Sequence, residues 1–257
     1  MPLAAVDRTA LESKVKSMYS DVAANPRGEF HFEMGRAMAE RLGYSAEDLD
    51  GIPAEAIDSF AGVGHFFHLA ELRAGERVAD LGSGSGMDSF VAALRVGPTG
   101  AVFGVDMTEA QLAKATRLAE DRRIRTVAFR KGYIEETGLP TASFDCVISN
   151  GVINLAADKA LVFREAARLL KPGGRLAIAD IVTEQPLPDN VVCNADLWAA
   201  CIGGAAQQFD YRTAIEAAGF TINRVEDNVK YRFISERARK ATAKWGVKSV
   251  SILAHKP

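Results

Sequence analysis

The sequence contains few cysteines, and none of them is spaced as a metal-binding pair. Only three of its 257 residues are cysteines, Cys146, Cys193 and Cys201, and no Cys-x-x-Cys motif occurs. This low, odd number argues against a disulfide framework and against a zinc knuckle. We therefore expect free thiols and no metal site.

The sequence also lacks an excess of charge and long hydrophobic runs. Its 31 basic and 33 acidic residues nearly cancel, so it has no basic field of the kind that attracts nucleic acid or an anionic membrane surface. No stretch approaches the roughly 20 apolar residues of a bilayer span, and the first residues lack the pattern of a signal peptide. These absences predict a cytoplasmic protein that binds small molecules rather than nucleic acid or membrane, in an oligomeric state that the sequence does not specify.

The spacing of the apolar residues changes near residue 75. Before it, the segments DRTALESKVKSMYSDV and FEMGRAMAERLGYSAEDL carry apolar residues at helical spacing. After it, short apolar runs alternate with helical stretches, in the order RVADLG, GMDSFVAALRVG, AVFGVD, TEAQLAKATRLAEDR, TVAFRKG, FDCVISN, DKALVFREAARLLKPGG and RLAIADIV. This alternation predicts an α/β fold with a doubly wound, mostly parallel sheet. We expect a helical N-terminal cap over residues 1–74, which contributes to the active site, and an α/β domain over residues 75–257.

The first connection between a predicted strand and a helix, VADLGSGSGMDSF, is rich in glycine. Gly82, Gly84 and Gly86 would form a tight turn that lets the main chain approach a ligand where a Cβ would occupy its space. In open α/β sheets this turn lies at the carboxyl ends of the strands, where ligands bind. Asp106 ends the next apolar run, about 20 residues after Gly86, where an acidic residue typically binds ribose hydroxyls. The loop and the acid together predict an adenosine-type ligand.

The residues around the loop indicate which nucleoside cofactor to expect. The dinucleotide fingerprint requires Gly or Ala where this chain has Met87, and the Gly-Lys-Ser/Thr motif of a P-loop is absent. Asp80 before the turn and Asp88 after it disfavour phosphate and favour an ammonium or sulfonium group. NAD is therefore not the expected ligand.

Four motifs in order, VADLGSGSG, GVDM, FDCVISN and RLLKPGGRLAIAD, resemble those of class I S-adenosylmethionine-dependent methyltransferases. Further stretches, among them RLGYSAEDL, AALRVGPTGAVFGVDMT and LWAACIGGA, are similar to the arsenite methyltransferase branch of that class. The resemblance covers about residues 10 to 225. It implies a seven-stranded, Rossmann-like methyltransferase fold and S-adenosylmethionine as the cofactor.

The resemblance also implies roles for single residues. Asp80 and the glycine loop would contact the methionine part of the cofactor, Asp106 the ribose, and Met107 with residues 132–135 the adenine. Asn150 would lie near the sulfonium. The cofactor-binding residues expected in this way are Asp80, Gly82, Ser83, Gly84, Gly86, Asp88, Asp106, Met107, Gly132, Tyr133, Ile134, Glu135 and Asn150.

The chain departs from the arsenite methyltransferases in its cysteines. Those enzymes bind trivalent arsenic through several thiolates, but this chain has Gly151 where a cysteine usually follows Ser-Asn, and the segments SFAGVGHFFHLAEL and GEFHFEMG contain none. Only Cys201 falls on a matching position. Because a single thiolate cannot supply multidentate soft coordination, we expect arsenite to be a poor substrate.

Aromatic and imidazole side chains stand where the cysteines are missing. They can stack on a planar acceptor or face a cation, and a histidine can accept a proton from an oxygen or nitrogen nucleophile. The acceptor pocket is expected to include His31, Phe32, Phe66, Phe67, Gly151, Trp198 and Cys201, with one wall supplied by the C-terminal segment at about 183–215, which also holds Gln207. The expected catalytic residues are His65, Tyr19, which would close over the cofactor, and Asn150.

A structural interpretation stands beside this functional one. The phenylalanines would then belong to the core, and Tyr19 would be an ordinary residue of an amphipathic helix. The histidines His31, His65 and His68 would be satisfied surface groups.

The expected function is methyl transfer to a heteroatom or activated carbon of a small molecule. A sulfonium is already a strong electrophile, so the protein mainly has to align the reactants and exclude water. Three alternatives remain open: an arsenite methyltransferase that uses Cys201 and external thiols, non-methyl chemistry on S-adenosylmethionine itself, and a catalytically inactive cofactor-binding protein.

Overall fold

The computed structural model describes residues 8–30, 32–188, 191, 203–234 and 236–257. Helices precede the first strand, as the helical spacing predicted: α1 (Arg8–Ala24), α2 (Arg36–Leu42), α3 (Ala46–Asp50), α4 (Ala54–Asp58) and α5 (Phe67–Ala70). The second predicted helical segment is broken in two, because Gly43 ends α2 with a φ of 123° and Ser45 caps α3 by accepting a hydrogen bond from the Asp48 amide.

The alternation of strands and helices begins at residue 77. Its elements are β1 (Arg77–Leu81), α6 (Met87–Val96), β2 (Ala101–Asp106), α7 (Glu109–Asp121), β3 (Val127–Lys131), β4 (Phe144–Asn150), a 3-10 turn (Ile153–Leu155), α8 (Lys159–Leu169), β5 (Leu170–Thr183), β6 (Ala206–Gln207), α9 (Gln208–Ala217), β7 (Thr221–Asp227), α10 (Glu236–Trp245) and β8 (Lys248–His255). The helix predicted to run into KPGG stops at Leu169, since Pro172 cannot continue it.

The strands form one sheet in the order β3-β2-β1-β4-β5-β8-β7, and the short β6 pairs with the end of β5. Neighbouring strands are parallel except where β8 pairs with β5 and β7. The predicted doubly wound, mostly parallel sheet is confirmed. The strand order reverses between β1 and β4, and in such sheets ligands bind beyond the carboxyl ends of the strands at this reversal.

Buried side chains form a core on each face of the sheet. One cluster joins the cap to α6 and includes Tyr44, Phe67 and Phe90, and the other lies under α8 and α9 and includes Phe163 and Tyr211. The cap is thereby fixed on the face that carries the glycine loop. In the described part of the chain, no helix is long and apolar enough to cross a membrane.

Candidate functional site

A cavity of about 260 Å³ opens beyond the carboxyl ends of β1, β2 and β4. The cap contributes part of its wall, and the glycine loop with the loops after β2, β3 and β4 contributes the rest. Of the residues expected to bind the cofactor, all except Gly86 line it: Asp80, Gly82, Ser83, Gly84, Asp88, Asp106, Met107, Gly132, Tyr133, Ile134, Glu135 and Asn150.

The glycine loop presents bare backbone to this cavity at one position. Gly84 has a φ of 53°, and a Cβ added there would have no neighbour nearer than Gln111 Oε1 at 3.9 Å. At Gly82 and Gly86, by contrast, an added Cβ would lie 2.5 Å from Val152 and 2.7 Å from Phe129. The outer two glycines therefore permit the turn and its packing, whereas Gly84 lets a ligand approach the main chain.

Asp106 is held by two backbone amides at the end of β2. Its Oδ2 accepts a hydrogen bond from the Gly84 amide at 2.9 Å, and its Oδ1 accepts one from the Thr108 amide at 2.8 Å. Burial raises the pKa of Asp106, and these two hydrogen bonds oppose that effect by favouring the ionised form. The Thr108 hydroxyl and the Met107 amide act in the same direction, so four donors from three residues orient this carboxylate at the cavity wall.

The hydroxyl of Ser83 is buried in the cavity wall without a hydrogen-bond partner among the described residues. Leaving a buried polar group unpaired costs about 1–3 kcal/mol. A polar ligand in the cavity would satisfy the hydroxyl, so Ser83 fits the same ligand as Asp106 and Gly84.

Two buried carboxyl groups, Asp80 and Asp88, flank the loop. Asp80 accepts a hydrogen bond from Ser89 Oγ at 2.6 Å, and burial together with the adjacent Asp88 raises its pKa to about 8. Burial also raises the pKa of Asp88, but only to about 6, because Tyr44 and Asn150 donate hydrogen bonds to it. Of the two carboxyl groups, Asp88 is therefore the one that ionises first as the pH rises.

The charged side chains of the described cavity wall are all acidic. Its carboxyl-bearing residues are Glu12, Asp80, Asp88, Asp106, Glu135 and Asp158. Neither lysine nor arginine lines the part of the wall that the structure describes. This distribution disfavours phosphate and favours a cation, in agreement with the expectation from the sequence.

The side chain of Asn150 is saturated by protein groups. Its Oδ1 accepts hydrogen bonds from the amides of Val63 and Gly64, at 2.8 and 3.3 Å. Its Nδ2 donates to Gly64 O and Asp88 Oδ2, each at 3.0 Å, and to Tyr44 Oη at 3.1 Å. Asn150 lines the cavity as expected, but its amide ties the cap to β4 and offers no further hydrogen to a ligand.

Helix α1 covers the cavity as a lid. Leu11 and Val15 pack against Tyr19, Met107 and Leu155. The Tyr133 hydroxyl donates to Glu12 Oε1 at 2.6 Å and accepts from Lys16 Nζ at 3.2 Å. The loop expected to hold adenine is thus joined directly to the lid.

Tyr19 lines the cavity from this lid. Gln111 Nε2 holds its carbonyl oxygen at 3.0 Å. Phe32 stacks on the Tyr19 ring with 6.2 Å between centroids, and Phe30 stacks on Phe32. Phe32 therefore does not itself line the cavity but lies beside a residue that does.

The structure places His65, Phe66 and Phe67 outside the cavity wall. Phe66 and Phe67 are buried in the core beneath the cap. The His65 ring packs edge-on against Tyr44 and stacks on His68, with 4.8 and 5.3 Å between centroids, and burial lowers its pKa to about 4. The alternative interpretation of Phe66 and Phe67 as core residues is therefore the one observed. Both side chains face inward at α5 and pack in the core cluster that contains Tyr44.

Other expected pocket residues divide into two groups. Gly151 lines the cavity with a φ of 71°, and a Cβ there would approach Val63 to 3.1 Å. His31, Trp198 and Cys201 lie outside the described residues, as does Cys193. Gln207 is described, on β6, but donates to Glu184 O and does not line the cavity.

The sequence did not single out several cavity-wall groups. The cap contributes Ala56, and it contributes Ser59, Phe60, Ala61 and Gly62 from the start of SFAGVGHFFHLAEL, a segment whose later residues were expected at the site instead. Tyr44, which holds Asp88 from behind the wall, was also missed, although it falls within the stretch RLGYSAEDL used for the resemblance.

A family model for a methyltransferase domain matches residues 72–219 of the chain. The arsenite methyltransferase of Halobacterium salinarum is 42% identical over 182 residues, which are 71% of this chain and 46% of that protein. The arsenite methyltransferase of Aquipseudomonas alcaligenes is 46% identical over 161 residues, which are 60% of this chain and 46% of that protein. The chain thus spans about half the length of these curated relatives.

Solved structures show the same architecture. The crystal structure of an arsenic(III) S-adenosylmethionine methyltransferase from Chlamydomonas reinhardtii matches with a TM-score of 0.63 at 32% identity, covering 87% of this chain and 74% of that chain. A geranyl diphosphate C-methyltransferase from Streptomyces coelicolor matches with a TM-score of 0.69 at 17% identity, covering 97% and 100%, and indicates the fold alone. The predicted Rossmann-like fold is confirmed.

Proposed function

The chain belongs to the class I S-adenosylmethionine-dependent methyltransferases, as its motifs predicted, and from this premise we propose that it transfers a methyl group from S-adenosylmethionine to a small-molecule acceptor. The observation that carries the proposal is the cradle at the end of β1 and β2. There the open backbone of Gly84, the unpaired hydroxyl of Ser83 and the amide-held carboxylate of Asp106 converge on one cavity.

The residues of the cavity suit the parts of the cofactor. Asp106 binds the ribose hydroxyls, and Met107 with Tyr133 and Ile134 encloses the adenine. Asp80, Asp88 and the glycine loop hold the methionine part, whose positive charge the acidic wall offsets. When bound, the cofactor supplies a methyl group on a sulfonium, so the protein needs no nucleophile of its own.

The chain's own contribution to the reaction is alignment and exclusion of water. The lid α1 covers the cavity with Leu11, Val15 and Tyr19. Of the three residues expected to be catalytic, Tyr19 and Asn150 line the cavity, and His65 lies behind Tyr44. We therefore assign the acceptor contact to Tyr19 and a positioning role to Asn150. His65 has no proton-accepting role in this proposal.

The acceptor proposed here is an uncharged or cationic organic molecule, methylated on a heteroatom or an activated carbon. The cap wall offers the rings of Phe60 and Tyr19, and the acidic lining disfavours an anion. The Ser59 hydroxyl is already engaged, because it donates to Val22 O and accepts from Lys114 Nζ. No thiol lines the described part of the wall, and Gly151 has a left-handed backbone that strains any side chain placed there.

Arsenite is the second candidate acceptor. The identity of 42% to an arsenite methyltransferase favours it, and Cys201 falls on a matching position of the sequence. External thiols such as glutathione would then have to complete the coordination of trivalent arsenic.

Mass spectrometry of the reaction products tests the proposal. The protein is incubated with S-adenosylmethionine and a panel of neutral, cationic and anionic acceptors, and in parallel with arsenite and glutathione. We expect S-adenosylhomocysteine together with a methylated neutral or cationic acceptor. Efficient methylation of arsenite would establish the second candidate instead, and a different cofactor fragment would show non-methyl chemistry. Cofactor binding without turnover of any acceptor would favour an inactive binding protein.

A further inference from the structure

Two buried tyrosines in this protein each donate a hydrogen bond to a buried aspartate. Tyr44 Oη lies 2.5 Å from Asp88 Oδ1, and Tyr211 Oη lies 2.7 Å from Asp180 Oδ2. All four residues are buried. The two pairs differ in one respect: Asp88 lines the cofactor cavity, whereas Asp180 does not.

Both oxygens of Asp88 accept hydrogen bonds from neutral donors. Tyr44 occupies Oδ1, and Asn150 Nδ2 occupies Oδ2 at 3.0 Å. Since Nδ2 of Asn150 also reaches Tyr44 Oη, the two donors support each other. Together they fix the orientation of the carboxylate at the cavity wall.

The titratable groups around Asp88 come from three directions. Asp80 on β1 is the neighbouring acid, and Asp106 on β2 interacts with Asp80. His65 packs against the Tyr44 ring and is uncharged at neutral pH. Burial and the adjacent Asp88 raise the pKa of Tyr44 well above its ordinary value, so its hydroxyl keeps the proton that it donates. No lysine or arginine lines the described cavity wall to which Asp88 belongs.

We infer that Tyr44 is a positioning residue that keeps Asp88 ionised and aimed into the cavity, and that it thereby sets the lowest pH at which the positively charged end of the cofactor binds. The inference rests on the proposed function, since it takes S-adenosylmethionine as the ligand. Without the two donors, burial would favour the protonated carboxyl, and a neutral carboxyl does not offset a cation.

The location of Tyr44 gives this arrangement a second consequence. Tyr44 follows α2 in the cap, and Asn150 ties the cap residues Val63 and Gly64 to the end of β4. The carboxylate that meets the cofactor is therefore held by a contact between the cap and the α/β domain. Loosening the cap at this contact should weaken cofactor binding even though Tyr44 does not line the cavity.

Calorimetric titration between about pH 5 and pH 9 tests the inference. S-adenosylmethionine and S-adenosylhomocysteine are titrated into the parent protein, into Tyr44→Phe and into Tyr211→Phe. In the parent, affinity should fall as the pH drops through about 6, the pKa of Asp88. In Tyr44→Phe the loss of a donor raises that pKa, so the fall should begin about one pH unit higher and weaken binding about fivefold at pH 6 and about tenfold well below it.

Tyr211→Phe is the matched control, because it removes the same hydroxyl from the same kind of buried pair, whose aspartate does not line the cavity. It should lower the melting temperature without moving the pH profile of binding. Above about pH 8, Tyr44→Phe should bind within about threefold of the parent, since Asp88 is ionised in both. The titrations of the ligands themselves are common to every variant and cancel in the comparison.

The outcomes separate the inference from the proposed function. If the parent binds neither ligand at any pH, the proposed function fails and the inference with it. If the parent binds but folded Tyr44→Phe keeps its pH profile, or Tyr211→Phe moves the profile equally, Tyr44 has only a structural role. Should Tyr44→Phe fail to fold, 3-fluorotyrosine at position 44 decides, because its hydroxyl is a stronger hydrogen-bond donor: a shift of the fall in affinity to lower pH supports the inference, and an unchanged profile overturns it.

Discussion

At the scale of single residues, the proposed ribose contact depends on one carboxylate. Asp106 is oriented by the amides of Gly84 and Thr108, so replacing it removes a prepared acceptor without disturbing a helix or strand interior. Charge-assisted hydrogen bonds contribute roughly 1.5–3 kcal/mol each. Asp106→Ala should therefore weaken S-adenosylmethionine and S-adenosylhomocysteine binding at least tenfold in a calorimetric titration.

Asp145 provides the control for that variant. It also accepts a backbone hydrogen bond, from the Arg77 amide at 2.8 Å, but it lies near the start of β4 and not in the cavity wall. Asp145→Ala should keep parental affinity. Equal binding by parent and Asp106→Ala would show that the ribose is held elsewhere, and tight binding of NAD would refute the cofactor assignment.

A second prediction at this scale concerns Asp80 and the stability of the fold. Its pKa of about 8 in the folded protein lies above the ordinary value of 3.8, so the native state holds a proton that the unfolded chain has released. The contribution of Asp80 to the free energy of unfolding therefore falls as the pH rises from about 4, the unfolded pKa, to about 8, the folded pKa. Asp80→Asn removes this cost and should raise the melting temperature more at pH 8 than at pH 5.

Thermal unfolding of the ligand-free parent and variant at both pH values measures this effect. Near pH 8 the gain in the free energy of unfolding should be on the order of 1–3 kcal/mol, and near pH 5 it should be small. A melting difference that does not grow with pH would mean that Asp80 is ionised in the native state across this range.

The motifs predicted the residues of the glycine loop and Asp106, most of which line one cavity, but not which cap residues line it. Gly84 and Asp106 were predictable because a main-chain approach and a ribose acceptor each demand one residue type at a fixed place in the fold. His65 was assigned to the pocket because HFFH replaces a cysteine segment, but the face that α5 turns inward depends on tertiary packing. The hydrogen bond from Tyr44 to Asp88 joins residues 44 apart in sequence, and neither composition nor periodicity indicates it.

At the scale of elements, α1 is the part of the cap whose attachment should respond to the cofactor. It is joined to the loop after β3 through the exposed Tyr133 hydroxyl, which pairs with Glu12 and Lys16. Such exposed contacts add well under about 1 kcal/mol to global stability. They lie directly over the cavity, so their main effect is expected on the closing of the lid.

Tyr133→Phe tests this attachment. Hydrogen exchange of the α1 amides should become faster in the ligand-free variant, and S-adenosylhomocysteine should slow it in both proteins. Affinity should fall by a few-fold while the melting temperature changes little. Lys131→Met, which removes an exposed ion pair with Glu109 outside α1, should leave α1 exchange unchanged, and unchanged exchange in Tyr133→Phe as well would show that other contacts hold the lid.

Elements themselves were largely predictable because helices and buried strands have different periods of apolar residues. The errors lie at breaks in the helical pattern. Gly43 ends α2 inside a segment whose spacing continues through it, and the KPGG stretch joins β5 although leucines before it fit a helix. In both places a local backbone requirement overrides the periodicity.

At the scale of the whole molecule, the distribution of thiols and charge predicts which acceptors are methylated. Cys146 is free and buried within β4, and burial raises its pKa to about 12, which makes it inert. Methylation of an organic acceptor needs no thiolate ligand, so Cys201→Ser should leave turnover of such an acceptor largely unchanged. Loss of an efficient arsenite methylation in Cys201→Ser, measured by mass spectrometry with glutathione present, would show that the protein is an arsenite methyltransferase.

The position of β8 in the sheet bears on the order in which the strands pair during synthesis. Among the described residues, none that lines the cavity lies beyond Leu161, whereas β8, at Lys248–His255, is inserted between β5 and β7. A nascent chain that has not yet emerged past Lys248 leaves β5 and β7 with edges that have no partner, and such edges invite pairing with other chains. β8 also holds the cap, since Ser249 Oγ donates to Val63 O at 2.6 Å and Ser251 Oγ donates to His65 O at 3.0 Å. The same strand therefore removes these exposed edges and fixes the cap segment that Asn150 ties to the end of β4.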